Sequence, residues 1–557
     1  MVKKLKLSKK IISGCFRREN TPEKLSNPKT IYSITHLNSN FMNKTMLRVW
    51  LGTLLAFACI NAMAQKKTLE NVLKIQLRNM GAIYNKNQIS GYYMFYKVDR
   101  INSKTNSYLL RILDQNLNEV SENKIEESKY FSLQEGAYNE DGLMFKFYDA
   151  KERKIVFYQY DNKSVLKGRN ERKIESKYEM ATYTEAEAEE NDGTALFSVP
   201  GKGFVDYGMK KGDKLGYAIS FYTNDGRKGW TYESPDNSKE VESANFFGVS
   251  QEVLISAVAK KKNLIAKDYD TYLLALNVST GQVMFEKKME DPQFEVSFMN
   301  AFVDNTSGNI ALLGQYFKKK DNVTKDRSLG LCSYVMTTGG DIITKNYASW
   351  ATDVRKLLPV NAQGKIEDVG FLYFHKIVKM ADGRVVAIGE QYRKSASGLG
   401  IAMTVMSGRN QGVTKMVIED MVLLTFTPQF KLEEVKIFDK SKTTYELGPQ
   451  FDFMGSQMIA LLLKSWGYFD YSFTQLDDAN TRFSVGYVDF EKNKGEKNKL
   501  VFGAVTYADK QYSTDKISLE TEASSLRVMP AKPGYVLISE YYRKAKKLDM
   551  RMEKINY

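Results

Sequence analysis

Cysteine is almost missing from these 557 residues: the only three are Cys15, Cys59 and Cys332. Two fall in a leader region, so the remainder of the chain can form no internal disulfide and must be held by its own apolar core. Histidine is scarcer, with His36 in the leader and His375 alone beyond it. Zinc sites built on several His or Cys ligands are thereby excluded. No phosphate-binding loop, dinucleotide glycine pattern, H-E-x-x-H, C-x-x-C or G-x-S-x-G occurs past the leader. Proline is rare, and helical periodicity is nearly absent. It is visible only over residues 67–78, where Leu69, Val72, Leu73 and Leu77 share a face, and even that stretch reads equally as a strand entry. No cofactor is expected from this set.

The leader has a recognisable grammar. Lys44 and Arg48 precede an uncharged apolar run over residues 49–60, followed by Asn61-Ala62-Met63-Ala64-Gln65. Charge, apolar core and the small residues Ala62 and Ala64 make a secretory signal cleaved before Gln65. The run is too short to cross a bilayer comfortably, which takes about 20 apolar residues. The alternatives are an uncleaved anchor and lipid attachment at Cys59. The latter fits poorly, because bulky Phe57 stands where a lipid-attachment motif wants a small residue. Residues 1–41 read as an upstream extension without ordered structure, with Met42 or Met46 as the natural start. The expected organisation is thus 1–41 extension, 42–64 signal peptide and 65–557 mature domain, in an exported protein of the periplasm or exterior with no membrane span after cleavage.

Composition then narrows the partners. The whole chain carries 81 Lys+Arg against 66 Asp+Glu. Residues 1–64 hold 11 and 2 of these, which leaves 70 − 64 = +6 for residues 65–557. That balance is mild and the lysines are scattered, so nucleic acid is not an expected partner.

What is abundant is Tyr, Phe and short apolar strands between turn signals. Lys124-Ile125-Glu126-Glu127-Ser128-Lys129-Tyr130 is echoed by Lys173-Ile174-Glu175-Ser176-Lys177-Tyr178, and looser units recur to the end of the chain. Strands near Gly91, Gly142, Gly203, Val253, Ile310, Arg384, Met458 and Gly534 each open a unit. Eight such units predict an all-β chain folded as a single β-propeller of four-stranded blades, or seven blades if one hairpin is an insertion. The chain ends inside its last unit, so the segment before Gly91 is expected to supply the missing outer strand and close the ring. Two β-sandwiches divided near residue 290 are the rival fold.

Few residues stand out chemically. Glu187, Glu189 and Asp192, in a dense acidic run, could ligate Ca²⁺ through oxygen, although such runs are usually solvated loops. Asp477 with Asp478 and Asp268 with Asp270 read as turn acids. Thr223-Asn224-Asp225-Gly226 resembles the turn box of sialidase-type propellers, with altered glycine spacing. His375, among aromatics in a strand, reads as a packed residue, and Cys332 as a buried thiol. Tyr92, Tyr93, Tyr96, Tyr468, Tyr471, Tyr541 and Tyr542 suit either a binding surface or packing between blades.

The Ala64-Gln65 junction, the Lys- and Tyr-rich hairpins and Met380-Ala381-Asp382-Gly383-Arg384-Val385-Val386 together resemble uncharacterised secreted β-propeller-like proteins of Bacteroidetes bacteria, a domain of unknown function. The resemblance implies an envelope location and brings no catalytic residues. A non-enzymatic propeller that binds an envelope protein or glycan is the expected function. A carbohydrate-active hydrolase or lyase and a purely structural envelope protein are the alternatives. Two carboxylates meeting among aromatics in one open pocket would favour the hydrolase.

Overall fold

The computed structural model describes residues 65–556, apart from 77–78, 86, 176–178, 181–182, 184–194, 211–214, 237–239, 264–265, 267–268, 305–306, 358–370, 410–411 and 492–498. Eight antiparallel sheets follow one another along the chain, with strands in sequential order within all but the last. They are blades 1 to 7 over residues 80–128, 131–173, 196–233, 241–288, 294–349, 372–438 and 471–518, and blade 8 over residues 525–554. Seven blades take all four basic strands from consecutive sequence. Blade 8 takes three and borrows its outermost strand, Lys66–Leu69, from the N-terminal side. That strand pairs with Lys547–Lys554 in the register Lys66 to Arg551 and Leu69 to Leu548. The expected closure is therefore present, and the eight-blade count holds against seven and against two sandwiches.

Each blade shows why its sequence reads as it does. The second and third strands are buried on both faces between neighbouring blades and are nearly continuous apolar runs, as in Gly142–Asp149 and Lys154–Asp161. The outermost strand alternates half-buried and exposed residues, as in Glu119–Ser128 and Leu166–Lys173. This is the pattern of a sheet side meeting water. The echo between residues 124–130 and 173–178 does not mark equivalent positions: Lys124 lies within the outer strand of blade 1, whereas of the second copy only Lys173 belongs to the outer strand of blade 2, and residues 176–178 lie outside the described residues. Tyr92, Tyr93 and Tyr96 are buried, as is Tyr541, so packing between blades accounts for them.

The recurrent opening glycines mark the second strand of a blade, not its first. At Gly142 an added Cβ would lie 2.4 Å from the Tyr160 carbonyl oxygen on the third strand. Gly142→Val is accordingly expected to destabilise the protein by about 1–3 kcal/mol through overpacking against backbone. Unchanged denaturant unfolding would contradict so close an approach.

Two sequence expectations are corrected. The segment Lys66–Leu69 is a strand and no helix follows it over the described part of 67–78, because pairing with the last strand overrides the local periodicity. Met458 opens no blade: it lies in a helix, Ser456–Ser465. The second strand of blade 7 is Phe483–Glu491 instead.

Blade 6 is the elaborated one. Its second and third strands, Val385–Ala396 and Thr414–Phe426, run past their neighbours. Helix α1 (Gly398–Ser407) sits at the tip of their hairpin. An extra strand, Thr443–Glu446, pairs on the extension of Thr414–Phe426. The helix Ser456–Ser465, here α2, follows in the connection to blade 7. Tyr392, Met416, Ile418, Phe451, Ile459 and Leu463 form a small apolar core under this addition. Strand direction puts the hairpin tip and the connections between blades on one face of the ring, the loop face.

Candidate functional site

Five innermost strands carry one extra residue relative to the second strand. The register skips Gln134, Phe247, Met299, His375 and Ser472. Such a bulge re-aims the side chains beside it. In blade 6 it turns His375 into the junction with blade 7, where its ring stacks on Tyr471 at 4.5 Å and 3°. Phe469 and Tyr373 flank the ring at 5.0 and 5.1 Å.

This junction collects buried charge. Glu390 comes from the second strand of blade 6, and Lys440 and Thr443 from the connection that follows blade 6. Asp470 and Tyr471 stand where blade 7 begins. Lys440 Nζ lies 2.6 Å from Asp470 Oδ2 and 3.3 Å from Glu390 Oε1. The side chains of Lys440 and Glu390 are 0% exposed. Thr443 Oγ1 donates to the Asp470 carboxylate at 2.9–3.0 Å, and the Tyr471 backbone N–H donates to Glu390 Oε2 at 3.0 Å. His375 Nε2 is 3.0 Å from Glu390 Oε2, and its Nδ1 has no hydrogen-bond partner among the described residues.

Electrostatics follow from this sealing. Burial, with Lys464 and Lys440 nearby, pushes the His375 pKa down to about 4 against the opposing pull of Glu390, so the imidazole is neutral at pH 7. Burial also raises Asp470 to about 6, with Glu390 adding repulsion and Lys440 opposing. Burial disfavours ionised Glu390, but His375 and Lys440 outweigh it and hold this carboxyl below its ordinary value. Burial likewise disfavours charged Lys440, and Glu390 and Asp470 more than offset that.

A cavity of about 380 Å³ borders the network, lined by Asp439, Lys440, Ser441, Lys442, Asp489 and Lys516. Its lysines are largely answered. Lys442 Nζ is 2.7 Å from Glu419 and Lys516 Nζ 3.5 Å from Asp489. Lys376, next to the bulged His375, is exposed to solvent. Elsewhere on the innermost strands, Tyr84 and Tyr138 stack across blades 1 and 2 at 5.2 Å.

A second buried network staples blades 2 and 3. Lys146 Nζ meets Asp206 Oδ1 at 2.6 Å, with both side chains essentially fully buried. Arg172 makes a two-pronged pair with Glu179 at 2.6 and 3.0 Å and stands 3.7 Å from Asp206. Burial alone would depress the Lys146 pKa, but Asp206, Tyr183 and Glu135 hold it above the ordinary lysine value.

The residues singled out from sequence fare differently. Glu187, Glu189 and Asp192 lie outside the described residues, as do Ala62 and Ala64, Cys59 and Asp268. Gln65 is described: its carbonyl accepts from Met552 N–H at 3.0 Å, and its side-chain oxygen accepts from Lys532 at 2.8 Å. Asp477 caps its turn, accepting from Thr481 and Arg482 N–H at 2.7 and 3.0 Å. The Asp225 box is the turn between the third and fourth strands of blade 3. Cys332 is buried, and burial raises its thiol pKa. His375 is packed as expected, but its company was not foreseen. Glu390, Lys440 and Asp470 carry no motif, and the available signal was a charge inside an apolar strand, as at Glu390 after Val385-Val386-Ala387-Ile388-Gly389.

A family model described as a family of unknown function, DUF6770, matches residues 42–556. No curated protein matches the sequence. Among solved structures, the chain is similar to the β-propeller domain of the Trilobed protease from Pyrococcus furiosus. Identity is 12%, the TM-score is 0.35, and the match covers 79% of this chain and 100% of that one. It is similar to prolyl oligopeptidase B from Galerina marginata at 9% identity and a TM-score of 0.35, over 90% of this chain and 61% of that one. The WD40 domain of SCAP from fission yeast matches at 8% identity and a TM-score of 0.26, over 76% and 95% of the two chains.

Proposed function

We propose, from the premise that this chain belongs to the DUF6770 family of unknown function, that it is a non-enzymatic binding or scaffold propeller of the cell envelope. Its partner would be an envelope protein or a glycan, held at the loop face over blades 5 to 7. The observation that carries this reading is the contrast between that face and the buried charges beneath it. The blade 5 hairpin loop and the connection from blade 6 to blade 7 meet there. Gln457 of α2 donates to the Asp326 carbonyl of blade 5 at 2.7 Å, so the connections support one another. Rigid blades holding converging loops are the common platform for recognition. Glu390 and Asp470 do meet among aromatics, but they share Lys440 and are sealed by packing rather than facing an open pocket.

Export belongs to the same proposal. The charge–apolar–A-x-A segment supports it, as does a family match beginning at residue 42, where the signal was read to start. The Lys- and Tyr-rich style supports a Bacteroidetes-type envelope. A hydrolase or lyase is the second reading, favoured by the raised Asp470 carboxyl beside Glu390.

The test is capture of envelope extract and a glycan array by the purified chain of residues 65–557. Retention of one protein or glycan, covalently unchanged, is the expected result. Lys442→Glu with Lys516→Glu at the cavity rim should weaken retention of an acidic partner about tenfold, the equivalent of ~1.4 kcal/mol. A retained glycan that emerges shortened would overturn the binding-only reading.

A further inference from the structure

Helix α1 reads Gly-Leu-Gly-Ile-Ala-Met-Thr-Val-Met-Ser, ten residues without a charge. It is built deliberately. Ser397 Oγ accepts from Gly400 N–H at 2.8 Å to start it, and Gly408, at φ 65°, ends it. Gly400 roots the helix: a Cβ there would strike the Gly412 carbonyl. Beyond that root the helix is out in solvent. Leu399, Ile401, Met403, Val405 and Met406 are all exposed, Val405 at 77% and Met406 at 87%.

The arrangement of these side chains identifies what covers them. Leu399, Met403 and Met406 share one side by their spacing, while Ile401 and Val405 point to roughly the opposite side. A protein groove takes one apolar stripe and leaves the other side in water. A helix apolar all round belongs in a core or in lipid, and no core among the described residues receives it. Two exposed aromatics belong to the same elaboration, Phe453 at 90% exposure and Trp466 at 41%. Both residue types suit a surface buried in the headgroup region, and tryptophan favours the membrane–water boundary.

Charge agrees with that setting. On the same face, the blade 5 segment from Lys318 to Arg327 presents Lys318, Lys319, Lys320, Lys325 and Arg327 against Asp321, Asp326 and Glu295, which pairs with Lys319 at 3.4 Å, a local balance of 5 − 3 = +2. Exposed Arg409 follows the helix directly. Cations around an apolar insertion complement anionic lipid headgroups. Ten helical residues extend ~15 Å, half of a ~30 Å hydrocarbon core, and no described helix is long and apolar enough to cross a membrane.

We infer that α1 inserts into the surface of a bilayer containing anionic phospholipid and holds the loop face of the ring against it. The partner proposed for the loop face would then be met at the membrane surface, and vesicle binding is read without that partner. The test uses residues 65–557, which carry the closed ring, in co-sedimentation with phosphatidylcholine vesicles and with vesicles that also contain phosphatidylglycerol. The wild-type chain should sediment with the mixed vesicles. Val405→Asp combined with Met406→Asp should cut that partitioning at least about tenfold while leaving the thermal midpoint unchanged, because both side chains are exposed. Lys318→Glu with Lys320→Glu should weaken binding to the mixed vesicles, and added salt should do the same. The inference is overturned if the wild-type chain ignores both vesicle types, or if the double aspartate variant binds as well as wild type. It is equally overturned if the wild-type chain is a dimer that this variant splits, since a second copy would then be the occupant.

Discussion

Asp206→Ala is expected to lower the stability of the ring by about 3–5 kcal/mol, the typical cost of stranding a buried charge. Lys146 lies on the second strand of blade 2 and Asp206 on the second strand of blade 3, so their 2.6 Å contact ties two blades. Without Asp206 the Lys146 ammonium keeps the Tyr183 ring, 5.4 Å away, but has no full countercharge within contact. Arg172 does not share this fate, because Glu179 still holds it through two contacts. The double variant Lys146→Met with Asp206→Leu should recover most of the loss, since replacing a buried pair by apolar groups of similar volume removes the desolvation cost with the attraction. Denaturant unfolding of the three proteins at pH 7 measures both steps. A loss below about 1 kcal/mol for Asp206→Ala, the range of exposed pairs, would mean that water reaches the pair.

The same two residues show how far the chain could be read without coordinates. Lys146 interrupts Leu143-Met144-Phe145 and Phe147, and Asp206 interrupts Phe204-Val205 and Tyr207. A charge in an apolar strand announces that a partner is needed, but not where it lies, because the partner sits on a neighbouring blade 60 residues away. Blade number was legible because every blade repeats one turn and one apolar pair of strands, with close glycine approaches as at Gly142. Ring closure was legible from an incomplete last unit. The elaboration of blade 6 was not, because α2 lies in a connection whose Met458, Ile459 and Leu463 look like strand material when read singly. Pairing and packing decide there, not periodicity. His375 could be assigned as packed from its aromatic neighbours. Its place in a charge network depends on a one-residue bulge, which a strand pattern with a period of two does not reveal.

That network makes the second large prediction, one of pH. Two of its members titrate between pH 4 and 6.5 with opposite consequences. Asp470 is raised to about 6 in the folded protein against an ordinary 3.8. The folded state therefore holds this proton more tightly, and its contribution is full below pH 3.8 and lost as pH rises through 6. His375 is lowered to about 4 against 6.5. Its contribution is full above pH 6.5 and lost as pH falls through 4. Each shift spans about two pKa units, worth roughly 3 kcal/mol, so across pH 4 to 6 the two slopes nearly cancel. Glu390 is held below its ordinary value by His375 and Lys440. Substituting one partner unmasks the other. Relative to wild type, Asp470→Asn should gain stability as pH rises from 4 to 6, and His375→Phe should lose it from 4 to 6.5. Denaturant unfolding at half-unit steps of pH, expressed as differences from wild type, cancels the titration of every other carboxylate. Parallel, flat difference curves for both variants would show that the junction is hydrated and titrates as it does in the unfolded chain. Opposed slopes would establish the charge balance at the blade 6–7 junction as the element that keeps this part of the ring indifferent to mild acid.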